Sequence, residues 1–174
     1  MTSFEIQTNI IDNIIARICH DLIGPFGTAQ LALENEDLKI AENSIQQGIA
    51  KLEIFRSTFK ANINYEKAMR LIEDFIQTKD LNCKIKETKA SPALIFFLIQ
   101  KMISKSEAIF ELSRISLKNF FFTSEEIDTL LGNTENITPG TTLAYLAYMQ
   151  FYSKNRLEIK KLEENNWTIT IKNA

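Results

Sequence analysis

The stretch LALENEDLKIA, residues 31–41, separates two amphipathic segments and decides how the first third of the chain folds. Four consecutive polar residues, Glu34 to Asp37, interrupt apolar positions that otherwise recur three and four residues apart, as on one face of a helix. A short connection between two long helices makes them antiparallel. The sequence therefore predicts a helical hairpin that forms a first domain over residues 1–61. Its two apolar stripes are Ile11, Ile15, Ile18, Leu22, Phe26, Ala29 and Leu33 before the break, and Leu38, Ala41, Ile45, Ile49, Leu52, Phe55 and Phe59 after it.

These stripes carry more apolar surface than one hairpin can cover, because each helix shields only part of its partner. Either the rest of the chain packs on them or a second copy does. Pairing two hairpins buries both stripes in a symmetrical assembly. We therefore expect a homodimer joined through a four-helix bundle.

The remaining residues, 62–174, alternate helical and strand patterns, which predicts a second domain built as a small α/β sandwich. The whole chain is then of the α+β class. Helices are predicted at 65–79, 91–106, 124–131 and 141–154, and strands at 82–88, 107–112, 115–122, 156–162 and 167–172, the last two forming a hairpin. The expected core consists of Ile95, Phe96, Leu98, Ile115, Phe121, Leu143 and Trp167.

Composition excludes several classes of function. A net charge of −2 and a pI near 5.6 over 174 residues give no electrostatic basis for binding nucleic acid or an anionic membrane. One His and two Cys cannot build a site of the His-rich or Cys-rich kind, and no metal site is predicted. We expect no signal peptide at the acidic start, and no apolar run approaches the length of a membrane span. We expect a soluble cytoplasmic protein.

The single histidine, His20, is the most informative residue. At about 100° per residue, its side chain points away from the apolar stripe and toward water. An exposed imidazole offers a nucleophilic ring nitrogen. The adjacent carboxylate of Asp21 can act as a base, or it can hold the other ring nitrogen and fix the tautomer. The alternative is an ordinary surface histidine.

A proline and two glycines follow on the same helix. Pro25 removes one backbone hydrogen bond and costs about 3 kcal/mol inside a helix. Gly24 and Gly27 share a face with His20, so this face offers an imidazole beside bare backbone that another molecule can approach closely. The glycines could instead relieve a kink or admit close helix packing. Cys19 is expected to be a small buried side chain.

Basic side chains on both helices are candidates for binding a partner. Counting away from the turn sets His20 level with Leu52 on the second helix, so Lys51 and Arg56 can steer an acidic partner surface. Arg17 lies on the first helix behind the His20 face. Each of these three cations could also be an ordinary solvated charge.

The segment Arg17-Ile18-Cys19-His20-Asp21-Leu22-Ile23-Gly24-Pro25 resembles the H-box of sensor histidine kinases, and more closely the ChpT-type histidine phosphotransferases of alphaproteobacteria. This resemblance implies a dimeric hairpin followed by a degenerate kinase-ATPase-like domain. It also implies His20 as the phospho-acceptor and Asp21 as its adjacent acid. The implied activity is relay of a phosphoryl group from the receiver domain of a hybrid histidine kinase to response regulators. Partner binding would involve Arg17, Gly24, Gly27, Lys51 and Arg56.

The second domain lacks the residues with which a working kinase of this type binds ATP. The helical segment Leu98–Ser104 holds no Asn for magnesium, and no Asp-x-Gly-x-Gly sequence occurs in the chain. We therefore predict no ATP binding, no autokinase or ATPase activity and no bound cofactor, with Mg²⁺ supplied by the receiver partner. The alternative function is a non-catalytic dimeric module that inhibits or scaffolds a kinase or response regulator. Replacing His20 discriminates the two, because a pure binding module does not need the imidazole.

Overall fold

The computed structural model describes residues 3–58, 64–133, 137–151 and 155–173. The chain divides into two compact units, Met1–Leu71 and Ile72–Ala174. The boundary predicted after residue 61 lies outside the described residues and stays a prediction.

The first unit contains the predicted pair of helices, α1 over Ser3–Glu34 and α2 over Leu38–Thr58. Helix α1 ends where the backbone N–H of Asp37 donates to the carbonyl of Ala32 at 2.8 Å, with Glu36 in the left-handed region. The Asp37 carboxylate then accepts the backbone N–H of Ile40 at 3.0 Å and caps the first turn of α2. The polar residues Glu34 to Asp37 therefore both end α1 and cap the start of α2.

The two helices contact each other mainly through small side chains. Gly48 is buried, and a Cβ built there lies 3.5 Å from the Phe26 ring and 3.6 Å from Cβ of Pro25. This glycine marks a close approach of α2 to α1. The other small buried residues of the hairpin are Ala29, Ala32, Ala41 and Ser44.

Many large apolar side chains of the hairpin, by contrast, remain exposed in the single chain, whereas Ile54 and Phe55 of α2 are buried. The exposed ones are Ile11, Ile15, Ile23, Phe26, Leu31, Leu33, Leu38, Ile40, Ile45, Ile49 and Leu52. Eight of them belong to the two stripes predicted from the sequence. Within one chain the hairpin thus leaves many of its large apolar side chains in water.

Helix α3, Tyr65–Thr78, crosses from the first unit into the second. The second unit continues with β1 (Cys83–Ile85), α4 (Pro92–Gln100), β2 (Glu107–Phe110), β3 (Arg114–Lys118), α5 (Ser124–Leu130), α6 (Thr142–Phe151), β4 (Asn155–Lys161) and β5 (Trp167–Asn173). The end of the predicted helix 141–154 falls on residues 152–154, which lie outside the described residues.

The five strands form one sheet in the order β1-β2-β3-β5-β4. Strand β1 runs parallel to β2, and the remaining neighbours are antiparallel. On β3 and β5 alternate residues are buried, so one face of the sheet is apolar and the other polar. The chain is therefore of the α+β class, as the sequence predicts.

Helix α4 is shorter than predicted. Ser91 caps its start, with its side chain accepting the N–H of Leu94, and the helix ends at Gln100. The next residues turn away because Ser106 Oγ accepts the N–H of Ile103 and donates to the carbonyl of Asn119. The Asn119 carbonyl that Ser106 reaches lies thirteen residues further along the chain, and apolar periodicity does not reveal this contact.

The predicted core is buried except for Phe121, which is 59% exposed. Strand β3 ends at Lys118, and Asn119 has a left-handed backbone with φ of 55°. This turn sends Phe120 into the core, where it is fully buried, and Phe121 into water. The prediction for Phe121 was wrong because alternation was extended past the end of the strand.

Among the described residues, no helix combines the length and apolar character needed to cross a membrane.

Candidate functional site

His20 lies on α1 with its side chain 81% exposed, which places the imidazole in water as the helical spacing predicts. Its Nδ1 lies 3.3 Å from Oδ1 of Asp21. An ionised carboxylate only accepts hydrogen bonds, so this contact requires Nδ1 to carry the proton and donate it. In that tautomer the lone pair is on Nε2. The exposed ring nitrogen is therefore the one able to attack an electrophile.

Asp21 is held from two sides and is only 7% exposed. Its Oδ1 contacts His20, and its Oδ2 accepts a hydrogen bond from Nε of Arg17 at 3.0 Å, one helical turn earlier. Both carboxylate oxygens are thus engaged, which fixes the plane of the carboxylate and, through it, the imidazole. This geometry suits a tautomer anchor.

Arg17 is half-buried and forms an ion pair with Asp21, so the alternative prediction of an ordinary solvated charge is wrong. Its spacing of four residues from Asp21 is a known signal for an ion pair on a helix. That signal was present in the sequence and was not used. Whether Arg17 also contacts a partner stays a prediction.

Lys51 reaches the same place from α2, as counting from the turn predicts. Its Nζ donates to the backbone carbonyl of Asp21 at 3.3 Å. Arg56 is exposed and lies five residues further along α2. No ion pair or hydrogen bond of the described residues joins Arg56 to His20, Asp21 or Lys51.

Gly24 and Gly27 have open space where a side chain would lie. A Cβ built on either residue meets no described atom within 4 Å. Close packing against the described residues of this chain therefore does not explain the two glycines. The approach of another molecule remains the prediction for both.

Cys19 is exposed, so the expectation of a buried thiol was wrong. The side of α1 that faces α2 includes Asp21, and a residue two positions earlier lies about 200° around the helix. The other cysteine, Cys83, is half-buried in β1, and desolvation raises the pKa of its thiol to about 11. A thiol with a raised pKa is a poor nucleophile.

The second unit places a structural ion pair near the end of α4. Lys101 Nζ donates to both carboxylate oxygens of Glu126 at 2.7 and 2.9 Å, and it lies over the rings of Phe97 and Phe122. Glu126 also accepts the backbone N–H of Thr123 in a capping box that starts α5. These groups satisfy one another, so they join α4 to α5.

In the part of the chain that the structure describes, no three His, Cys, Asp or Glu side chains cluster closely enough to hold a metal ion. Among the described residues, Arg17, His20, Asp21 and Lys51 form a cluster in which the His20 side chain is exposed.

Comparison with known proteins gives a match in structure but none in sequence. No protein-family model and no curated protein sequence matches this chain. A solved structure described as a bacterial phosphotransferase superposes with a TM-score of 0.67, covering 99% of this chain and 98% of the other. The two sequences are 14% identical. The chain therefore shares its whole fold with a bacterial phosphotransferase.

Proposed function

We propose that this chain is a histidine phosphotransferase of the ChpT type, which relays a phosphoryl group between receiver-domain aspartates through His20. The observation that carries the proposal is the contact of Nδ1 of His20 with the carboxylate of Asp21, which leaves Nε2 in solvent. The fold shared with a solved bacterial phosphotransferase supports it.

The proposed step needs no general base, because the attacking Nε2 carries a lone pair and no proton. The Nε2 lone pair attacks the phosphorus of an aspartyl phosphate, an N–P bond forms, and the bond from phosphorus to the aspartate oxygen breaks. The aspartate leaves as a carboxylate. The ring keeps its Nδ1 proton and becomes positively charged, and Asp21 stabilises that charge across 3.3 Å. Attack by a second receiver's aspartate reverses these bond changes and returns His20 to its neutral form.

Phosphoryl transfer requires mainly positioning and stabilisation of charge. In this proposal each receiver domain brings its own aspartate and Mg²⁺, so this chain holds neither a metal nor another cofactor. The open positions at Gly24 and Gly27 admit the receiver close to the backbone of α1. Arg17, Lys51 and Arg56 supply positive charge for an acidic receiver pocket. The compartment that we propose is the cytoplasm.

We also propose that the protein is a homodimer. The exposed side chains of both hairpin stripes, such as Ile15 on α1 and Ile49 on α2, are the surface that a second copy covers. Burying one such side chain contributes about 1.5–3 kcal/mol. Two hairpins that cover each other form the four-helix bundle predicted from the sequence.

The α/β unit has, in our proposal, lost nucleotide binding and serves as scaffold and docking surface. The described helix α4 bears no Asn, and no glycine-rich sequence exists to wrap phosphates. The Lys101–Glu126 pair uses its charges on each other. The protein would accordingly accept phosphoryl groups from receivers and would not phosphorylate itself with ATP.

The alternative function, a binding module without chemistry, is tested by His20→Gln. Because the side chain is exposed, the variant should fold and dimerise as the wild type does. If the proposal is right, it binds the receiver but takes up no radiolabelled phosphate from it. A variant that still inhibits or scaffolds its partner in full, paired with a wild type that takes up no label, would establish the binding module instead.

A further inference from the structure

The carboxylate of Asp21 is buried, although the preceding residue, His20, is exposed. A buried carboxylate stays ionised only when donors and a positive charge compensate it. Its shorter contact is with Arg17, whose Nε donates to Oδ2 at 3.0 Å, whereas Nδ1 of His20 lies 3.3 Å from Oδ1. A hydrogen bond from a guanidinium to a carboxylate is charge-assisted and stronger than one from a neutral donor. Arg17 therefore holds Asp21 more firmly than the neutral imidazole does.

The contact with Arg17 also determines how the carboxylate is turned. The terminal torsion of an aspartate side chain is broad, so a single hydrogen bond to an exposed ring leaves it free to rotate. Arg17 lies one helical turn before Asp21 on α1, and its side chain is half-buried. Because both oxygens belong to one planar group, a donor that holds Oδ2 directs Oδ1 toward Nδ1 of His20.

The direction of Oδ1 decides which ring nitrogen of His20 is nucleophilic. A neutral imidazole carries its proton on Nδ1 or on Nε2, and the other nitrogen keeps the lone pair. In the observed position, Oδ1 favours the proton on Nδ1 and the lone pair on Nε2. With the carboxylate turned away, the proton could lie on Nε2, which then could not attack an electrophile. Arg17 thus acts on the reactive nitrogen through Asp21.

We propose that Arg17 is a positioning residue: by holding Oδ2 of Asp21, it aims Oδ1 at Nδ1 of His20 and so selects Nε2 as the nitrogen that accepts the phosphoryl group. The phosphoryl step rests on the proposed function, whereas the choice of tautomer does not. This role is additional to any positive charge that Arg17 offers a receiver.

The first test measures the tautomer of His20 in the full-length protein without any receiver. His20 is the only histidine of the chain, so the imidazole signals in proton–nitrogen correlation NMR come from one residue. In mildly alkaline buffer the ring is neutral, and the wild type should carry its proton mainly on Nδ1. Arg17→Met should lower the ratio of the Nδ1-protonated to the Nε2-protonated form at least about fivefold, as expected when one hydrogen bond is lost.

Three further variants show whether the effect belongs to the contact of Arg17 with Asp21. Arg70→Met, at an exposed arginine of α3, is the matched control and should leave the ratio unchanged. Arg17→Lys keeps a cation for the buried carboxylate but lacks the planar Nε donor, so its ratio should lie between those of the wild type and Arg17→Met. In an Asp21→Asn background, Arg17→Met should change the ratio less than it does in the wild type, because both substitutions act on one contact.

Circular dichroism establishes that each variant is as helical as the wild type. If Arg17→Met is unfolded, Arg17→Lys decides alone, and a ratio equal to that of the wild type contradicts the proposal. A wild type that carries its proton mainly on Nε2 also contradicts it.

The dependence of phosphoryl uptake on receiver concentration separates positioning from docking. Arg17→Met should lower the rate at saturating receiver at least about threefold, because fewer molecules hold the productive tautomer and ring orientation. If it changes only the half-saturating concentration and leaves the tautomer ratio as in the wild type, the proposal is wrong and Arg17 acts in docking alone. A wild type that forms no phosphohistidine, whatever its tautomer, would overturn the proposed function and with it the role of Arg17 in transfer.

Discussion

The two units of this chain differ in how many of their large apolar side chains are exposed. In the hairpin, the contact between α1 and α2 uses small residues such as Ala32 and Gly48, and large ones such as Ile15 and Ile49 stay exposed. In the α/β unit most of the large apolar residues are inside, although some, such as Phe121 and Leu162, are exposed. The fully buried ones there include Ile72, Leu94, Ile95, Phe96, Phe97, Leu98, Phe110, Ile115, Leu117 and Phe120.

This difference indicates which of the two units leaves apolar surface that another molecule could cover. The α/β unit closes its own core. The hairpin leaves an apolar surface uncovered and presents His20 on the same two-helix element. We expect this pattern in a unit that buries its apolar surface against a second copy of the chain and exchanges a phosphoryl group with a different protein.

The largest effect is expected inside the α/β core, where two adjacent phenylalanines form a matched pair. Phe120 is fully buried and Phe121 is 59% exposed. Phe120→Ala should lower the free energy of unfolding by about 3–5 kcal/mol, because it leaves a cavity. Phe121→Ala should change it by less than about 0.5 kcal/mol, as at an ordinary surface position. Chemical denaturation of both variants measures this, and equal losses would show that the two side chains are equally buried.

A charge placed on the exposed apolar surface of the hairpin should weaken the proposed dimer. Ile49→Glu places a carboxylate on the surface that we assign to the dimer, and each copy loses about 1.5–3 kcal/mol of apolar burial. Dimer affinity should fall at least about a hundredfold, and light scattering should give the mass of one chain, 20.0 kDa. Leu162→Glu, at an exposed apolar residue of the α/β unit, is the control and should stay dimeric. A wild type that scatters as a monomer would remove the dimer from the account.

The open face of α1 should be sensitive to side-chain size. Gly24→Leu should slow phosphoryl uptake from a receiver at least about tenfold, since a branched side chain occupies space that the receiver needs. The same substitution should stabilise helix α1 by about 1 kcal/mol, because leucine has a higher helix propensity than glycine. Gly24→Ala should gain helix stability with little loss of transfer. Unchanged transfer rates in Gly24→Leu would assign the glycine to the helix and not to the partner.

The smallest effect is expected on the polar face of the sheet. Hydrogen bonds from Lys172 and Lys160 lower the pKa of the Glu158 carboxyl from 4.5 to about 2. A lowered pKa adds stability that is present above the ordinary value and is lost as the pH falls from 4.5 toward 2. Carboxyl NMR titration should find this value, and Glu158→Gln should lose part of the wild type's stability change over that range. A Glu158 pKa near 4.5 would mean that the two lysines do not hold it.

The sequence alone predicted the order of helices and strands, because apolar spacing and caps are local. It also placed His20 in water and Lys51 opposite it, since both follow from helix geometry and one short turn. The exposure of Phe121 was missed because alternation was extended past the end of β3 at Lys118. The end of α4 was missed because it involves a contact of Ser106 with Asn119 that apolar spacing does not show.

The contact of Lys51 with the Asp21 carbonyl was missed for a similar reason. Pro25 predicts a carbonyl without its helical donor, but only the structure shows that a side chain of another helix reaches it.

The most direct test of the account asks which unit carries the phosphoryl group. The protein is incubated with a radiolabelled, phosphorylated receiver domain, separated from it and digested, and the labelled peptide is identified. The account predicts that all label lies on the peptide containing His20, in an acid-labile and base-stable linkage, and that a second receiver removes it. Label on a peptide from Ile72–Ala174, or label that persists in His20→Gln, would contradict the account.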